Sequence, residues 1–495
     1  MSERPERPNV LLITLDQFRA DCLSCAGHPV VRTPSLDALA ASGVRFARHH
    51  GQAAPCAPGR ASLYTGTYQM NHRVVANGTP LDRRFDNIAL LARRAGYRPV
   101  LFGYTDQALD PRDATGPDDP RLSSYTGVLP GFDPELHVPD DHEPWIEWLS
   151  GLGYDVAGGP LDLLATEHTR PEEHSVGAFV TDAVIEWIGE HADDEPWFVH
   201  VSHLRPHPPY SAAGEWATAY DPTEVGAPIP APTEPHWFHR AVLGMEQPAA
   251  PTDPVELAHL RAQYFGMVSH IDHQVGRLLE ALEHLGLADG TVVVVTADHG
   301  EMLGDHGLKE KLGHWEQTYA IPCIVRGPGI ATGRVVEAFT EAVDIMPTLA
   351  ELIGEPVPAQ CDGFPLTPFF GHDDESSSRR RAAWRTVTHW EFDWRSLMVD
   401  EVAHEWPWDR VLEQQHLVVA RDETHAYVQF GNGDWLCFDL AADPTWRTTV
   451  TDPAVVLPLA QEMLTWRSRH ADRLLADLVL VDGGVGRFPP LPWRR

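Results

Sequence analysis

The sequence predicts an α/β protein with a large mixed, mainly parallel sheet sandwiched by helices, followed by a smaller C-terminal antiparallel sheet. Two observations support this prediction. As far as about residue 353, short apolar runs alternate with stretches of helical periodicity, which is typical of a parallel sheet covered by helices. Beyond about residue 415, three short runs of β-branched and aromatic residues follow one another with only turn residues between them. That pattern indicates antiparallel hairpins.

Four apolar runs are predicted to be strands of the large sheet, because each is short and bounded by polar or turn residues. They are Asn9 to Leu15, Tyr97 to Gly103, Trp197 to Val201 and Thr291 to Thr296. Start or stop signals predict helices at Thr33 to Gly43, Asn87 to Gly96, Val176 to His191, Val255 to Leu285 and Met346 to Ile353. Two stretches rich in Pro, Gly or Asp, at about 110–174 and 220–251, are predicted loops, the first of them over the functional site.

The C-terminal part is predicted to be a separate small domain. Its strands are His416 to Ala420, Ala426 to Phe430 and Trp435 to Phe438, and a helix from Ala454 to Ala471 closes it. We therefore expect a main domain over 1–375, a solvated connection over about 372–381, the small domain over 382–475 and an extended arm over 476–495. Because the arm carries Phe488, Leu491 and Trp493, we expect it to pack on another subunit of a homo-oligomer, a dimer or a tetramer.

Composition limits the kinds of partner. The 495 residues are 43% hydrophobic and 22% charged, as in soluble globular proteins. The formal net charge of −33 argues against nucleic acid as a partner, because the chain offers no basic face for a phosphate backbone. We recognise neither a membrane-spanning run nor a signal peptide, so we expect no membrane partner and a cytoplasmic location. Six cysteines in so long a chain do not form a disulfide framework.

Polar side chains follow two of the predicted strands where each strand ends. Asp16 follows the first strand, and Asp298 and His299 follow the strand that ends at Thr296. Because the carboxyl ends of parallel strands meet at one edge of a sheet, we expect these side chains to lie close together. Two carboxylates and an imidazole suit one divalent metal ion, with manganese or calcium favoured and zinc also compatible. Asp16 on its own would be interpreted as a loop or cap carboxylate.

The stretch from Pro55 to Gly66 contains the pattern Cys-x-Pro-x-Arg, formed by Cys56, Pro58 and Arg60. Proline suits the first turn of a helix, so Cys56 is expected at or just before a helix N-terminus, where anions are favoured. Arg60 lies one helical turn further on and can reach the Cys56 side chain or an anion held beside it. Each feature alone is common, and only the combination is informative.

This combination, followed by Leu-Tyr-Thr-Gly at 63–66, resembles the signature of the sulfatases. The resemblance implies that a formylglycine-generating enzyme oxidises Cys56 to formylglycine, whose hydrated aldehyde is the nucleophile. Further matches at 70–73, 77–82, 103–105, 205–209 and 470–473 resemble the phosphonate monoester hydrolases, a branch of the sulfatase group within the alkaline phosphatase superfamily. The expected fold is therefore alkaline phosphatase-like, and the main domain would be catalytic.

Carried over by position, the resemblance implies a metal shell of Asp16, Cys56 in its formylglycine form, Asp298 and His299. It also implies that six residues surround the nucleophile and the anionic ester: Gln17, Arg60, Asn77, Tyr104, His207 and Lys311. Arg60, His207 and Lys311 would stabilise charge that develops on the ester. Asp106 departs from the family pattern of a small hydroxyl residue. Its carboxylate either faces the leaving-group side of the pocket or caps a loop backbone.

The expected activity is hydrolysis of phosphonate monoesters and phosphodiesters, with some turnover of sulfate esters at the same site. An aryl- or alkylsulfatase is the nearest alternative. A non-catalytic binding protein with an unmodified Cys56 is the alternative from another class, and it is disfavoured because metal, anion and nucleophile positions are all present. The substrate in the first two cases is a small anionic ester.

Overall fold

A computed structural model describes residues 7–371, 374–395, 414–471, 478–482 and 484–487. Its strands are β1 (Asn9–Leu15), β2 (Val44–His50), β3 (Ala53–Ala54), β4 (Pro99–Gly103), β5 (Asp133–His137), β6 (Phe198–His203), β7 (Thr291–Thr296), β8 (Cys323–Arg326), β9 (Arg334–Glu341), β10 (Thr388–Asp393), β11 (His416–Arg421), β12 (His425–Phe430), β13 (Trp435–Asp439), β14 (Leu478–Val481) and β15 (Gly484–Arg487). Its α-helices are α1 (Pro34–Ala41), α2 (Cys56–Thr65), α3 (Gln69–His72), α4 (Ile88–Arg94), α5 (Glu143–Gly151), α6 (Gly159–Ala165), α7 (Val176–Glu190), α8 (Trp237–Leu243), α9 (Pro254–His284), α10 (Glu316–Tyr319), α11 (Ile345–Leu352), α12 (Glu375–Ala382) and α13 (Pro453–His470).

The large sheet has eight strands in the order β5-β4-β6-β1-β7-β8-β2-β9. Every neighbouring pair is parallel except the two pairs made by β8, which are antiparallel. Helices pack against the sheet, among them the long helix α9, which contacts both α1 and α7. The predicted mixed, mainly parallel sheet with covering helices is confirmed.

A second, five-stranded sheet has the order β13-β12-β11-β10-β3 and is antiparallel except where β3 meets β10. Helix α13 packs on it. Its core is shared with the main part of the chain, since Trp390 stacks on Tyr319 with ring centroids 5.1 Å apart. Because β3 ends one residue before Pro55, the small sheet lies next to the start of helix α2.

Several elements were not predicted. β2 alternates charged or polar residues with apolar ones, and β8 has only four residues. β9 and β10 carry charged residues within the strand. None of the four has the continuous apolar pattern of β1 or β7. The predicted loop over 110–174 contains β5, α5 and α6, and the loop over 220–251 contains α8. The expected solvated connection contains α12, whose first turn is capped by Asp374.

The expected extended arm contains the antiparallel pair β14–β15, while Phe488, Leu491 and Trp493 lie outside the described residues. Packing of the arm on another subunit therefore stays a prediction, as do the domain limits at 375, 382 and 475. Within the described parts of the chain, no helix is long and apolar enough to cross a membrane.

A candidate metal centre and active site

Four side chains that can bind a metal come together at the carboxyl edge of the large sheet. They are Asp16, Cys56, Asp298 and His299, and all four are buried. One ligand atom from each lies within 4.8 Å of the others. Nε2 of His299, for example, is 3.2 Å from Sγ of Cys56 and 3.8 Å from Oδ1 of Asp16. Over the described residues, no other group of three or more Asp, Glu, His or Cys side chains meets this condition.

Strand pairing explains why residues far apart in the sequence meet here. β1 and β7 are parallel neighbours with Thr14 opposite Thr296, so the chain leaves both strands at the same edge. Asp16 is the first residue after β1, and Asp298 is the second after β7. The expected juxtaposition of the two strand ends is present.

Cys56 reaches the same point as the first residue of helix α2. Oδ1 of Asn77 accepts a hydrogen bond of 3.0 Å from the backbone N–H of Ala57, which satisfies one free donor of the first turn. Gly59 lets the helix approach the end of β7 closely. A Cβ atom at this position would lie 2.7 Å from the carbonyl oxygen of Asp298.

The guanidinium of Arg60 is fully buried and holds both carboxylates of the cluster. Nη2 donates to Oδ2 of Asp16 at 3.0 Å, and Nε donates to Oδ2 of Asp298 at 2.9 Å. Nη1 donates to Oγ of Ser202 at 2.7 Å and to the backbone oxygen of Tyr104 at 3.2 Å. Two of the guanidinium nitrogens of Arg60 therefore bind the carboxylates of the cluster.

His299 presents an unprotonated nitrogen to the cluster. Its Nδ1 lies 3.0 Å from the carbonyl oxygen of Gly300, and since a carbonyl only accepts, Nδ1 carries the proton. Burial lowers the pKa of His299 to about 3, which keeps the ring neutral. The lone pair of Nε2 is therefore available to a metal ion.

The two carboxylates complete a donor set that fits a divalent cation. Burial and then the charge of Asp16 raise the pKa of Asp298 to about 7. Two buried carboxylates that repel each other are stabilised by a cation placed between them. Together with the lone pair of His299 and the side chain of residue 56, they offer four ligands of the type that metal sites use.

A chain of hydrogen bonds runs away from the cluster through Gln17. Its backbone N–H donates to Oδ1 of Asp298 at 3.1 Å, and its side-chain Oε1 accepts from Nζ of Lys311 at 2.7 Å. Nε2 of Gln17 donates to Oε2 of Glu301, which also accepts from the hydroxyl of Tyr210 at 2.9 Å. Because Glu301 accepts from the amide nitrogen of Gln17, the amide oxygen of Gln17 points to Lys311.

A cavity of about 70 Å³ opens beside Cys56. Five of the expected site residues line it besides the cysteine: Asp16, Asn77, Tyr104, Asp106 and His207. The hydroxyl of Tyr104 donates to Oδ2 of Asp16 at 2.5 Å. Nδ1 of His207 donates to the carbonyl oxygen of Pro208 at 2.8 Å, so Nε2 carries the lone pair while the ring is neutral. Burial lowers the pKa of His207 to about 3.

Asp106 also lines this cavity and is only 4% exposed. In the described part of the chain its carboxylate accepts no hydrogen bond from a backbone N–H, so the geometry favours the orientation toward the pocket over a loop cap. The nearest cationic atom is Nε of Arg60 at 3.8 Å. Burial raises the pKa of Asp106 to about 7.

All eleven residues singled out in the sequence lie in or directly around this site. Others were not anticipated: Ser202, Glu301 and Tyr210, and the cavity-lining residues Tyr125, Asp140 and His142. Glu301 lies three residues after Asp298 in the sequence. This closeness to a predicted metal ligand is the one feature of the sequence that could have indicated Glu301. The other five lie on a strand or on loops whose distance from the site only the fold determines.

Comparisons with known proteins agree with this arrangement. The chain matches the family model described as Sulfatase over residues 8–355. It is 34% identical to the multifunctional alkaline phosphatase superfamily protein PehA of Trinickia caryophylli, over 95% of this chain and 97% of that protein. Two similar solved structures are the phosphonate monoester hydrolases of Agrobacterium radiobacter (40% identity, TM-score 0.87, 98% of this chain and 100% of that chain) and of Silicibacter pomeroyi (32%, 0.83, 97% and 99%).

The family match covers well over half of the chain, and the relatives cover nearly all of it. Sulfatases use a metal ion and a formylglycine made from cysteine, and this chain has a Cys, Asp and His cluster at the corresponding place. The protein therefore belongs to the sulfatase family of hydrolases, within the alkaline phosphatase superfamily.

Proposed function

We propose that this protein hydrolyses phosphonate monoesters and phosphodiesters with a formylglycine nucleophile made from Cys56, and that it turns over sulfate esters at the same site. The observation that carries the proposal is the position of the Cys56 side chain. It starts helix α2, lies 3.2 Å from the lone-pair nitrogen of His299, and opens onto the cavity. The similarity to two phosphonate monoester hydrolases supports this choice of substrate over a sulfate ester.

Asp16, Asp298 and His299 would hold one divalent metal, for which we favour manganese or calcium over zinc because the shell is rich in oxygen. When bound, the metal and the hydrated aldehyde supply an ionised hydroxyl group as nucleophile near neutral pH. Arg60 acts as a positioning residue, because its guanidinium fixes both carboxylates at 3.0 Å and 2.9 Å. Tyr104 holds Asp16 from another side.

Lys311 supplies positive charge for the anionic ester. Although burial acts to lower its pKa, the neighbouring carboxylates Asp16, Glu310 and Asp298 act to raise it, and the result lies above the usual value. Lys311 therefore stays charged at neutral pH, and Gln17 holds its Nζ at 2.7 Å. A fixed ammonium group in a buried site stabilises negative charge on the non-bridging oxygens more strongly than water does.

We assign to His207 the transfer of a proton to the leaving group. In the free protein its Nε2 carries a lone pair, because Nδ1 is committed to the Pro208 carbonyl. An anionic ester next to the ring favours the protonated form. Nε2 then donates a hydrogen bond to the leaving oxygen, which departs as an alcohol or phenol.

Rates on matched esters test the proposal. With fully converted enzyme, kcat/KM for p-nitrophenyl phenylphosphonate and bis(p-nitrophenyl) phosphate should exceed kcat/KM for p-nitrophenyl sulfate. A higher value for the sulfate would favour the aryl- or alkylsulfatase alternative. Absence of turnover on all three esters, together with a Cys56 that stays unmodified after expression with the formylglycine-generating enzyme, would favour the binding-protein alternative.

The proposal requires a formylglycine-generating enzyme as a partner in the host cell. We further propose that the protein works in the cytoplasm and as a homo-oligomer, a dimer or a tetramer, as the sequence predicts. Light scattering of the full chain and of a chain ended at residue 475 tests the last point. A monomer in both cases would reject it.

A further inference from the structure

The cavity beside Cys56 has an outer part that the proposed chemistry does not use. Asp106, Tyr125, Asp140 and His142 form it, and we name these four residues the acidic mouth. Tyr125 is 42% exposed and Asp140 is also exposed, whereas Cys56 is buried. The cavity therefore runs from the reacting side chain outward to two carboxylates and an aromatic ring.

The innermost carboxylate of the acidic mouth has no hydrogen-bond partner in the described part of the chain. Nε of Arg60 lies 3.8 Å from Asp106 and is already committed to Asp298 at 2.9 Å. A buried carboxylate without a donor is unfavourable. Burial, and in addition the charges of Asp16 and Asp140, raise the pKa of Asp106. Arg60 is shared with Asp16 and Asp298, so its charge compensates that of Asp106 only in part.

The remaining members add negative charge and an aromatic face. Burial, and then the neighbouring Asp140, raise the pKa of the Tyr125 hydroxyl, so the ring is neutral where it lines the opening beside that carboxylate. His142 adds no positive charge near neutral pH, because burial lowers its pKa. Of the described residues that line the cavity, none is a lysine or arginine. Carboxylates beside an aromatic face form the kind of surface that binds ammonium groups.

We propose that the substrates of this enzyme carry an ammonium group on their organic part, and that the acidic mouth binds it while the anionic ester lies beside Cys56. This inference rests on the proposed function, because it assumes that the anionic centre binds at the Cys56 end. It specifies the class of ester: a zwitterion with a positive organic substituent.

Binding of two isosteric ligands tests the inference. 2-(Trimethylammonio)ethylphosphonate and 3,3-dimethylbutylphosphonate have nearly the same shape, and each has a single organic substituent, so only the charge at its end differs. The dissociation constant of each is measured by calorimetry on the metal-loaded enzyme. We expect the cationic ligand to bind about tenfold more tightly.

Three variants locate the effect. Asp140→Asn and Asp106→Asn should each remove most of the preference, and Asp118→Asn should keep it, because Asp118 is an exposed carboxylate of the same region that does not line the cavity. Equal affinities in the wild type, or an unchanged preference in Asp140→Asn, would overturn the inference even if Asp106→Asn fails to fold. Failure of the proposed function is distinguishable, because it would appear as absent hydrolysis of p-nitrophenyl phenylphosphonate.

Discussion

At the scale of single residues, the geometry of the site depends on groups outside the metal cluster, such as Glu301. Glu301 is buried, and its Oε1 accepts from the backbone N–H groups of Leu303 at 2.7 Å and Glu310 at 2.5 Å. Its Oε2 accepts from Gln17 and Tyr210. Because all four partners donate, a carboxylate fits the position and a carboxamide does not. The Gln17 amide is oriented as a result.

Glu301→Gln should therefore disturb Lys311 without removing a catalytic group. The new amide places an NH₂ group against that of Gln17, so the Gln17 amide turns and no longer accepts from Nζ of Lys311. We expect kcat/KM to fall about 10- to 100-fold, as for other residues that orient a ligand. The affinity for phenylphosphonate, measured by calorimetry, should fall with it.

Tyr210→Phe is the matched control, since it removes one donor to Glu301 and leaves the carboxylate in place. A small effect in Tyr210→Phe beside a large one in Glu301→Gln supports the positioning role. Unchanged phenylphosphonate affinity in Glu301→Gln would argue against it.

Asp16→Asn, Asp298→Asn and His299→Ala test the metal cluster itself. Each should lose metal and most activity, because each removes one ligand of the set. The effect on folding should be small, since these side chains follow strand ends and belong to no apolar core. Elemental analysis measures the metal content, and thermal unfolding measures the effect on folding. His259→Ala, at an exposed position on α9, serves as the control. Full metal content in all three variants would contradict the assignment.

At the scale of elements, the approach of helix α2 to β7 fixes the distance between Cys56 and Asp298. Gly59→Ala tests it. Alanine favours a helix by about 1 kcal/mol over glycine, but its Cβ atom would lie 2.7 Å from the carbonyl oxygen of Asp298 and 3.0 Å from that of Ala53. The helix or the strand end has to shift, and we expect a loss of activity of roughly 100-fold, as for other sub-ångström to ångström misplacements.

Gly189→Ala is the control for this variant, because a Cβ atom there meets nothing within 4 Å on an exposed turn of α7. It should retain activity. If Gly59→Ala binds metal and turns over substrate like Gly189→Ala, close packing of α2 against β7 does not determine the site geometry.

At the scale of the whole molecule, the sequence predicts the sheet and the centre of the site better than its surroundings. β1 and β7 are continuous apolar runs that end in acids, and that pattern requires no knowledge of distant partners. β8 runs antiparallel between β7 and β2, and the two-residue strand β3 joins the small sheet. Only the complete fold determines these strand pairings. Asp140 reaches the cavity from the turn between β5 and α5, inside the stretch 110–174 whose sequence shows little periodicity.

The small sheet packs directly against the part of the chain that carries the site. Trp390 stacks on His50 at 5.6 Å and on Tyr319 at 5.1 Å, and β10 pairs with β3 just before Cys56. A chain ended at residue 375 should therefore expose this aromatic cluster and aggregate. Soluble expression and metal content are the measurements. A soluble, metal-binding fragment would show that the catalytic domain folds alone.

The proposed chemistry depends above all on the conversion of Cys56 to formylglycine. Peptide mass spectrometry of the purified enzyme measures the fraction of residue 56 present as aldehyde or its hydrate, and the same preparations are assayed on p-nitrophenyl phenylphosphonate. We expect activity to rise in proportion to the converted fraction across preparations made with and without the modifying enzyme. Full activity in a preparation whose Cys56 is entirely thiol would contradict it.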